Sequence, residues 1–254
     1  MTERPILMSG PMVRAILDKD NPKTQTRRPI DSIGNRIHID RLLCDWMRKG
    51  PFQSDGSPVW NYVGKRRAIQ PSAGDWVWPL QCDVDDFMTV ALRCPFGVPG
   101  DRLYVRETWA TIPLYDIMSV SKLGPGMDLF YRADGYQTRV HKTDPGRWRP
   151  SIHMPRWASR ITLEVVRVWP ERLMDISPDD ARAEGIGRYT YQFGTAGGYK
   201  VSKYVAFPEK EGGFPTAKEA FAALWDSIYA KRGLGSEVNP WVWACEFRRV
   251  SDGD

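Results

Sequence analysis

"ASRITLEVVRVWPERLMDISPDDARAEGI", residues 158–186, reads as a strand running straight into a short helix. Ile161, Leu163 and Val165 alternate with Thr162 and Glu164, the period of two that puts one apolar face against a core. Ser177 then stands where an N-cap belongs, Pro178 takes the first helical position, and Asp179 and Asp180 place negative charge in the first turn. Gly185 is the stop signal.

The neighbouring segments extend this pattern. "VPGDRLYVRETWA", residues 98–110, opens with a Pro-Gly-Asp turn and continues as a strand, Leu103 and Val105 alternating with Tyr104 and Arg106. Near the start of the chain, Met12, Val13, Ile16 and Leu17 have helical spacing, and the helix is expected to end near Asp20, before Pro22. Residues 187–214, rich in Gly and Tyr, are expected to form a loop. Thr216 and Glu219 form a capping box for a last helix with an apolar stripe of Ala217, Ala220, Phe221, Leu224, Trp225 and Ile228. "NPWVWACEFRRV", residues 239–250, closes the chain as a strand, with Trp241 and Trp243 read as core. Residues 31–92 and 110–150 carry turn-punctuated aromatic pairs and read as loop-rich insertions. Several strands, a few short helices and no βαβ rhythm predict an α+β fold, a small barrel or curled sheet with helices packed on it. Residues 1–254 are read as one domain with those two insertions.

Composition bounds the chemistry. The chain has 254 residues, 42% of them hydrophobic, enough for a substantial core. A net charge of +5 favours an anionic ligand without demanding one. Eleven tryptophans are many for this length, and some are expected to line a binding surface. Cys44, Cys82, Cys94 and Cys245 have no C-x-x-C spacing and do not cluster with His38, His141 or His153, so no structural zinc and no cofactor is expected. No signal peptide or long apolar run is evident, which reads as a reduced, cytoplasmic protein without membrane contact.

"NPKTQTRRPI", residues 21–30, cannot build an ordinary core. It fits a solvated loop, a phosphate grip or a catalytic stretch. In a regular strand Lys23 and Thr26 point to opposite faces; in a helical turn they share one. A joint Lys–Thr site therefore calls for an irregular path between Pro22 and Pro29.

The order of these pieces resembles the ASCH domain, a member of the PUA-like superfamily of RNA-associated barrels. Within it, the order is similar to the small bacterial N4-acetylcytidine amidohydrolases. "SGPMVRAILDKDNPKTQTRR" and "WRPSIHMPRWASRI" also look like a long ASCH-like group met in phage genomes. The resemblance covers about residues 5–28, 97–109, 158–186 and 216–250. It implies a PUA-like small β-barrel with flanking short helices. It also implies catalytic roles for Lys23 and Thr26 of the "KT-x-T-x-R" stretch and for Glu184 of the short helix, with Arg28 closing the stretch. The implied substrate is an N4-acylcytidine or N4-acyldeoxycytidine. Trp109 and Trp157 are candidates for stacking a pyrimidine, and Arg156 and Ser159 for substrate contacts at a barrel mouth.

Two chemical routes fit these residues. Thr26 is the nucleophile and a neutral Lys23 its base, or Glu184 activates water while protonated Lys23 holds the oxyanion. A non-catalytic reader of RNA, a nucleotide or a modified base is the rival. Its basic segments would grip phosphates and its affinity would fall steeply with salt. A phage assembly protein, with neither ligand nor activity, is a third reading.

Overall fold

The computed structural model describes residues 1–30, 52–53, 76–83, 86–92, 94–135, 144–192, 200–205 and 213–250. In chain order the regular elements are β1 (Glu3–Leu7), α1 (Gly10–Leu17), β2 (Gln25–Pro29), β3 (Phe52–Gln53), β4 (Trp76–Asp83), β5 (Asp86–Leu92), β6 (Arg102–Arg106), β7 (Trp109–Ala110) and β8 (Phe130–Tyr131). Then come β9 (Thr162–Arg172), α2 (Pro178–Ala183), β10 (Gly187–Gln192), β11 (Lys200–Val205), α3 (Ala217–Tyr229) and β12 (Trp241–Arg249). The chain is α+β.

The central sheet has five strands in the order β1-β6-β9-β12-β2. β1 pairs parallel to β6, and the other neighbours are antiparallel. A parallel pair needs a long crossover, and the chain supplies it with α1, β2 and the first insertion. The outer strands, β1 and β2, are joined in sequence by α1. They also approach each other in space, because Arg28 of β2 donates from Nη2 to the Leu7 carbonyl of β1 at 2.9 Å. The sheet therefore curls until its two edges lie within one arginine side chain. No ladder joins β1 to β2 among the described residues, so the sheet is open and the expected barrel is not closed by strand pairing.

The concave side of the sheet and α1 enclose the first core, which includes Ile6, Val13, Ile16, Leu103, Val105, Leu163, Val165, Trp243, Cys245 and Phe247. α2 and α3 cover the opposite side of β12 and β2, where Val242, Ala181, Ile186, Phe221 and Trp225 form a second core. β12 is consequently buried on both faces, and its run "WVWAC" is apolar throughout for that reason. A third core under residues 109–158 holds Trp109, Leu123, Met154 and Ala158.

The caps fall where the sequence puts them. Ser177 Oγ accepts from the Asp180 N–H at 3.0 Å, and Thr216 Oγ1 accepts from the Glu219 N–H at 3.2 Å. Three expectations need correction. α1 ends at Leu17, because Asp18 leaves the helical region (ψ 132°) and its carboxylate accepts from the Asp20 N–H. In α3, Ile228 is exposed and Tyr229 takes the buried place in the stripe. Residues 187–214 are not simply a loop, since β10 and β11 pair as an antiparallel hairpin. The intervening glycines hid two runs of alternating side chains, and Thr190 and Ser202 face each other across them with hydroxyls 3.1 Å apart. No helix among the described residues is long and apolar enough to cross a membrane.

Candidate active site

β2 is an edge strand whose side chains go two ways. The irregular path expected between Pro22 and Pro29 is not found, because the chain runs there as a strand with alternating faces. Lys23, Gln25 and Arg27 face α2, and Thr26 and Arg28 face the inside of the curled sheet. Lys23 precedes the assigned strand, yet the path is already extended there. The Thr24 N–H donates to the Ala183 carbonyl at 2.9 Å, and the Thr24 carbonyl accepts from the Phe247 N–H at 2.8 Å. The stretch is therefore stitched to the end of α2 on one side and to β12 on the other.

Each residue on the α2 side reaches an acidic side chain. Lys23 Nζ donates to Glu184 Oε2 at 2.5 Å and to the Glu184 carbonyl at 2.6 Å. Gln25 Nε2 donates to Asp180 Oδ1 at 2.7 Å. Arg27 donates from Nη1 to Glu184 Oε1 at 3.2 Å and from Nε to Glu171 Oε1 at 2.6 Å. Gln25 Oε1 accepts from the same Nη1 at 3.1 Å, and Glu171 Oε2 accepts from Trp169 Nε1 at 2.7 Å. The Lys23 and Arg27 side chains are 1% and 0% exposed and that of Glu184 is 5% exposed, so this is an ionic network inside the protein.

Burial pulls Lys23 below the ordinary lysine range. The Glu184 charge and hydrogen bond oppose that shift, and the Arg28 and Arg27 charges add to it. Burial pushes Asp180 up, but hydrogen bonds from Ser177 and Gln25 and the Arg27 charge outweigh it and hold its carboxyl below the usual range.

Gly185 explains how the carboxylate comes so close. It has φ +95°, the left-handed region that ends α2. A Cβ there would stand 3.1 Å from the Ala15 Cβ and 3.6 Å from the Lys23 Cβ. Gly185→Ala is therefore expected to lose roughly 1–3 kcal/mol of stability from the backbone conformation alone. Urea denaturation checks this, and an unchanged midpoint would show that the turn relaxes freely.

Thr26 is fully buried on the other face, paired in register with Cys245. Its Oγ1 accepts from Arg28 Nη1 at 3.3 Å, which leaves the hydroxyl proton to be given elsewhere. Among the described residues no hydrogen bond joins Thr26 to Lys23 or Glu184. The Glu184 and Arg28 charges both act on the Cys245 thiol beside Thr26, so the two faces share one electrostatic environment. Burial pushes that thiol far up and keeps it protonated.

The structure thus brings Lys23 and Glu184 together on one face of a short strand and Thr26 and Arg28 together on the other. It does not bring the remaining sequence-predicted residues there. Trp109 is 0% exposed in the third core. Arg149 covers its face at 5.3 Å and Trp157 abuts it edge-on at 6.0 Å, which leaves no face of Trp109 for a pyrimidine. Arg156 is clamped by both Glu3 oxygens, at 2.7 and 2.6 Å. Glu3 and Leu7 lie at opposite ends of β1, about 13 Å apart along a strand, so Arg156 sits away from Arg28. Ser159 Oγ donates to the Val105 carbonyl at 2.8 Å and serves the approach to β9. Arg106 donates to the Met154 carbonyl, and buried Glu107 is held by Arg160 at 2.9 Å.

Sequence reading missed Arg27, Gln25, Asp180 and Glu171 as parts of one network. The signal was present, since three polar residues at i, i+2 and i+4 of a strand share a face. What it lacked was the identity of the face opposite. No family model, curated protein or solved structure matches this chain.

Proposed function

We propose that the chain is an amidohydrolase that removes acyl groups from N4 of acylated cytosine nucleosides, acting in the cytoplasm as a single ASCH-like domain. On this reading the curled sheet is a PUA-like barrel whose open edge, between β1 and β2, is closed by α1 and Arg28. The observation that carries the proposal is the buried Lys23–Glu184 pair at 2.5 Å, which joins the end of α2 to the strand that holds Thr26.

Amide hydrolysis needs a proton acceptor for the nucleophile, a donor for the leaving amine and a group to orient the carbonyl. Lys23 and Glu184 lie within proton-transfer distance of each other and form the acid–base pair. Thr26, with no hydrogen bond to Lys23, fits an orienting hydroxyl better than an activated nucleophile. In the resulting mechanism a water oxygen attacks the acyl carbon while Lys23 Nζ takes its proton. Thr26 and Arg28 hold the acyl oxygen as it gains charge. The C–N4 bond then breaks, and the proton held by the Lys23–Glu184 pair passes to N4, releasing a carboxylic acid and the cytosine nucleoside.

The test is direct. Purified protein incubated with N4-acetylcytidine is expected to release cytidine, followed by chromatography. Because the proton transfers use Lys23 and Glu184 alone, chelation and dialysis are expected to leave turnover intact, and a loss restored by zinc would overturn the metal-free mechanism. No release from N4-acetylcytidine or N4-acetyldeoxycytidine would remove the hydrolase reading.

A further inference from the structure

Two cations share the Glu184 carboxylate. Lys23 holds Oε2, and Arg27 holds Oε1. All three side chains are at least nine-tenths buried. Counted as a buried unit, Lys23, Arg27 and Glu184 carry a net charge of +1 when Lys23 is protonated and zero when it is a neutral amine. A buried ion pair without Arg27 would behave the opposite way, since removing the lysine proton would strand a carboxylate in a low-dielectric interior. Arginine is suited to this position because it stays charged at every working pH. Its second anchor, Glu171, lies nearer the surface, with 16% of its side chain exposed, so solvent shares the stabilisation of that charge.

We propose that Arg27 is a positioning residue that supplies the standing counter-charge to Glu184, so that Lys23 works as a neutral amine base. The proposal rests on the hydrolase reading for its consequence in turnover, but not for the charge arrangement itself. It also selects between the two chemical routes. Glu184 is bonded on both oxygens, so the amine beside it can give up its proton without leaving the carboxylate unpaired.

The groups that act on Lys23 come from every neighbouring element. β2 supplies Arg27 and Arg28, and the end of α2 supplies Glu184. Asp180 of α2 and Glu171 of β9 act through Gln25 and Arg27. β12 presents Cys245 as a neutral thiol, and α1 presents the Ala15 backbone, which accepts from the Lys23 N–H.

The experiment follows the Lys23 Nζ and Cε resonances through a pH titration of isotopically labelled protein, assigned by their loss in Lys23→Met. In the wild type the midpoint is expected below the ordinary lysine value of about 10.4. In Arg27→Gln it is expected to rise by about one unit or more, a tenfold or greater tightening of proton binding. Arg27→Lys is expected to restore part of the wild-type value. The acid limb of the kcat/KM profile is expected to move up with the midpoint. A purely structural Arg27 would lower the melting temperature and leave the Lys23 midpoint where it was, which overturns the proposal. Should Arg27→Gln fail to fold, Glu171→Gln decides. It keeps one acceptor oxygen, for Arg27, while removing the competing charge, so the Lys23 midpoint is expected to fall, and an unmoved midpoint again overturns the proposal. Expected midpoints without any cytidine release would remove the hydrolase reading and leave the charge arrangement standing. Normal release with unmoved midpoints would remove this inference alone.

Discussion

Lys23→Met and Glu184→Gln are each expected to lose most of the turnover of N4-acetylcytidine, on the order of 10²–10⁴-fold. The double variant is expected to lose little more than either single one, because residues acting as one unit are not additive. The cause is their pairing, since Lys23 takes up the proton and hands it to N4 while Glu184, at 2.5 Å, holds Lys23 in place to do so. Lys23→Arg should fail as completely as Lys23→Met, because a guanidinium cannot serve as a base. Thr26→Ser keeps the hydroxyl bonded to Arg28 and is expected to retain part of kcat, whereas Thr26→Val should not. The measurement is kcat and KM beside a melting curve for each protein. Full activity in folded Lys23→Met would end the hydrolase assignment and leave a binding role for the same residues.

The second large effect is on stability and is expected to be asymmetric. Glu184→Gln leaves Lys23 and Arg27 as two buried cations with a neutral amide between them. Removing one member of a buried ionic network typically costs about 3–5 kcal/mol, and this is the member that both cations need. Lys23→Met leaves Arg27 paired with Glu184, a neutral arrangement, and is expected to cost less than half as much. Lys23→Met combined with Glu184→Gln should recover stability relative to Glu184→Gln alone.

The pH dependence follows from Lys23. Its folded pKa lies below its unfolded value, so between the two the unfolded chain binds more protons and stability rises with pH. The rise begins at the folded pKa and ends near the unfolded value of about 10.4. Glu184→Gln removes the group that raises the Lys23 pKa, so its window opens at lower pH and its rise is larger. Urea denaturation at several pH values reads all of this. Equal costs for the two single variants would contradict the shared-carboxylate arrangement.

The legibility of the chain differs by residue. Caps depend on local hydrogen bonds, so Ser177, Gly185 and Thr216 were readable where they stand. Ile161, Leu163 and Val165 declared their face because alternation against one core needs no knowledge of the partner. The hairpin of β10 and β11 was obscured because the glycines between its strands dominate the composition of that segment. Trp109 shows the reverse failure. Its type suits stacking, but whether a ring meets a ligand or a core depends on what covers it, and Arg149 and Trp157 come from later parts of the chain.

By itself, the sequence determined the α+β class and the long strand leading into a capped helix. These follow from periodicity and capping, which act within a few residues. The tertiary structure decided that "KTQTRR" runs as an edge strand, facing α2 on one side and the curled sheet on the other. It also decided that Lys23 and Arg27 share Glu184 across gaps of 161 and 157 residues, that Trp109 is packed in a core, that Arg156 pairs with Glu3 and that Ser159 bonds a backbone carbonyl. A buried charge is defined by its distant partners, and only the folding of β2 against the end of α2 brings them within hydrogen-bond reach.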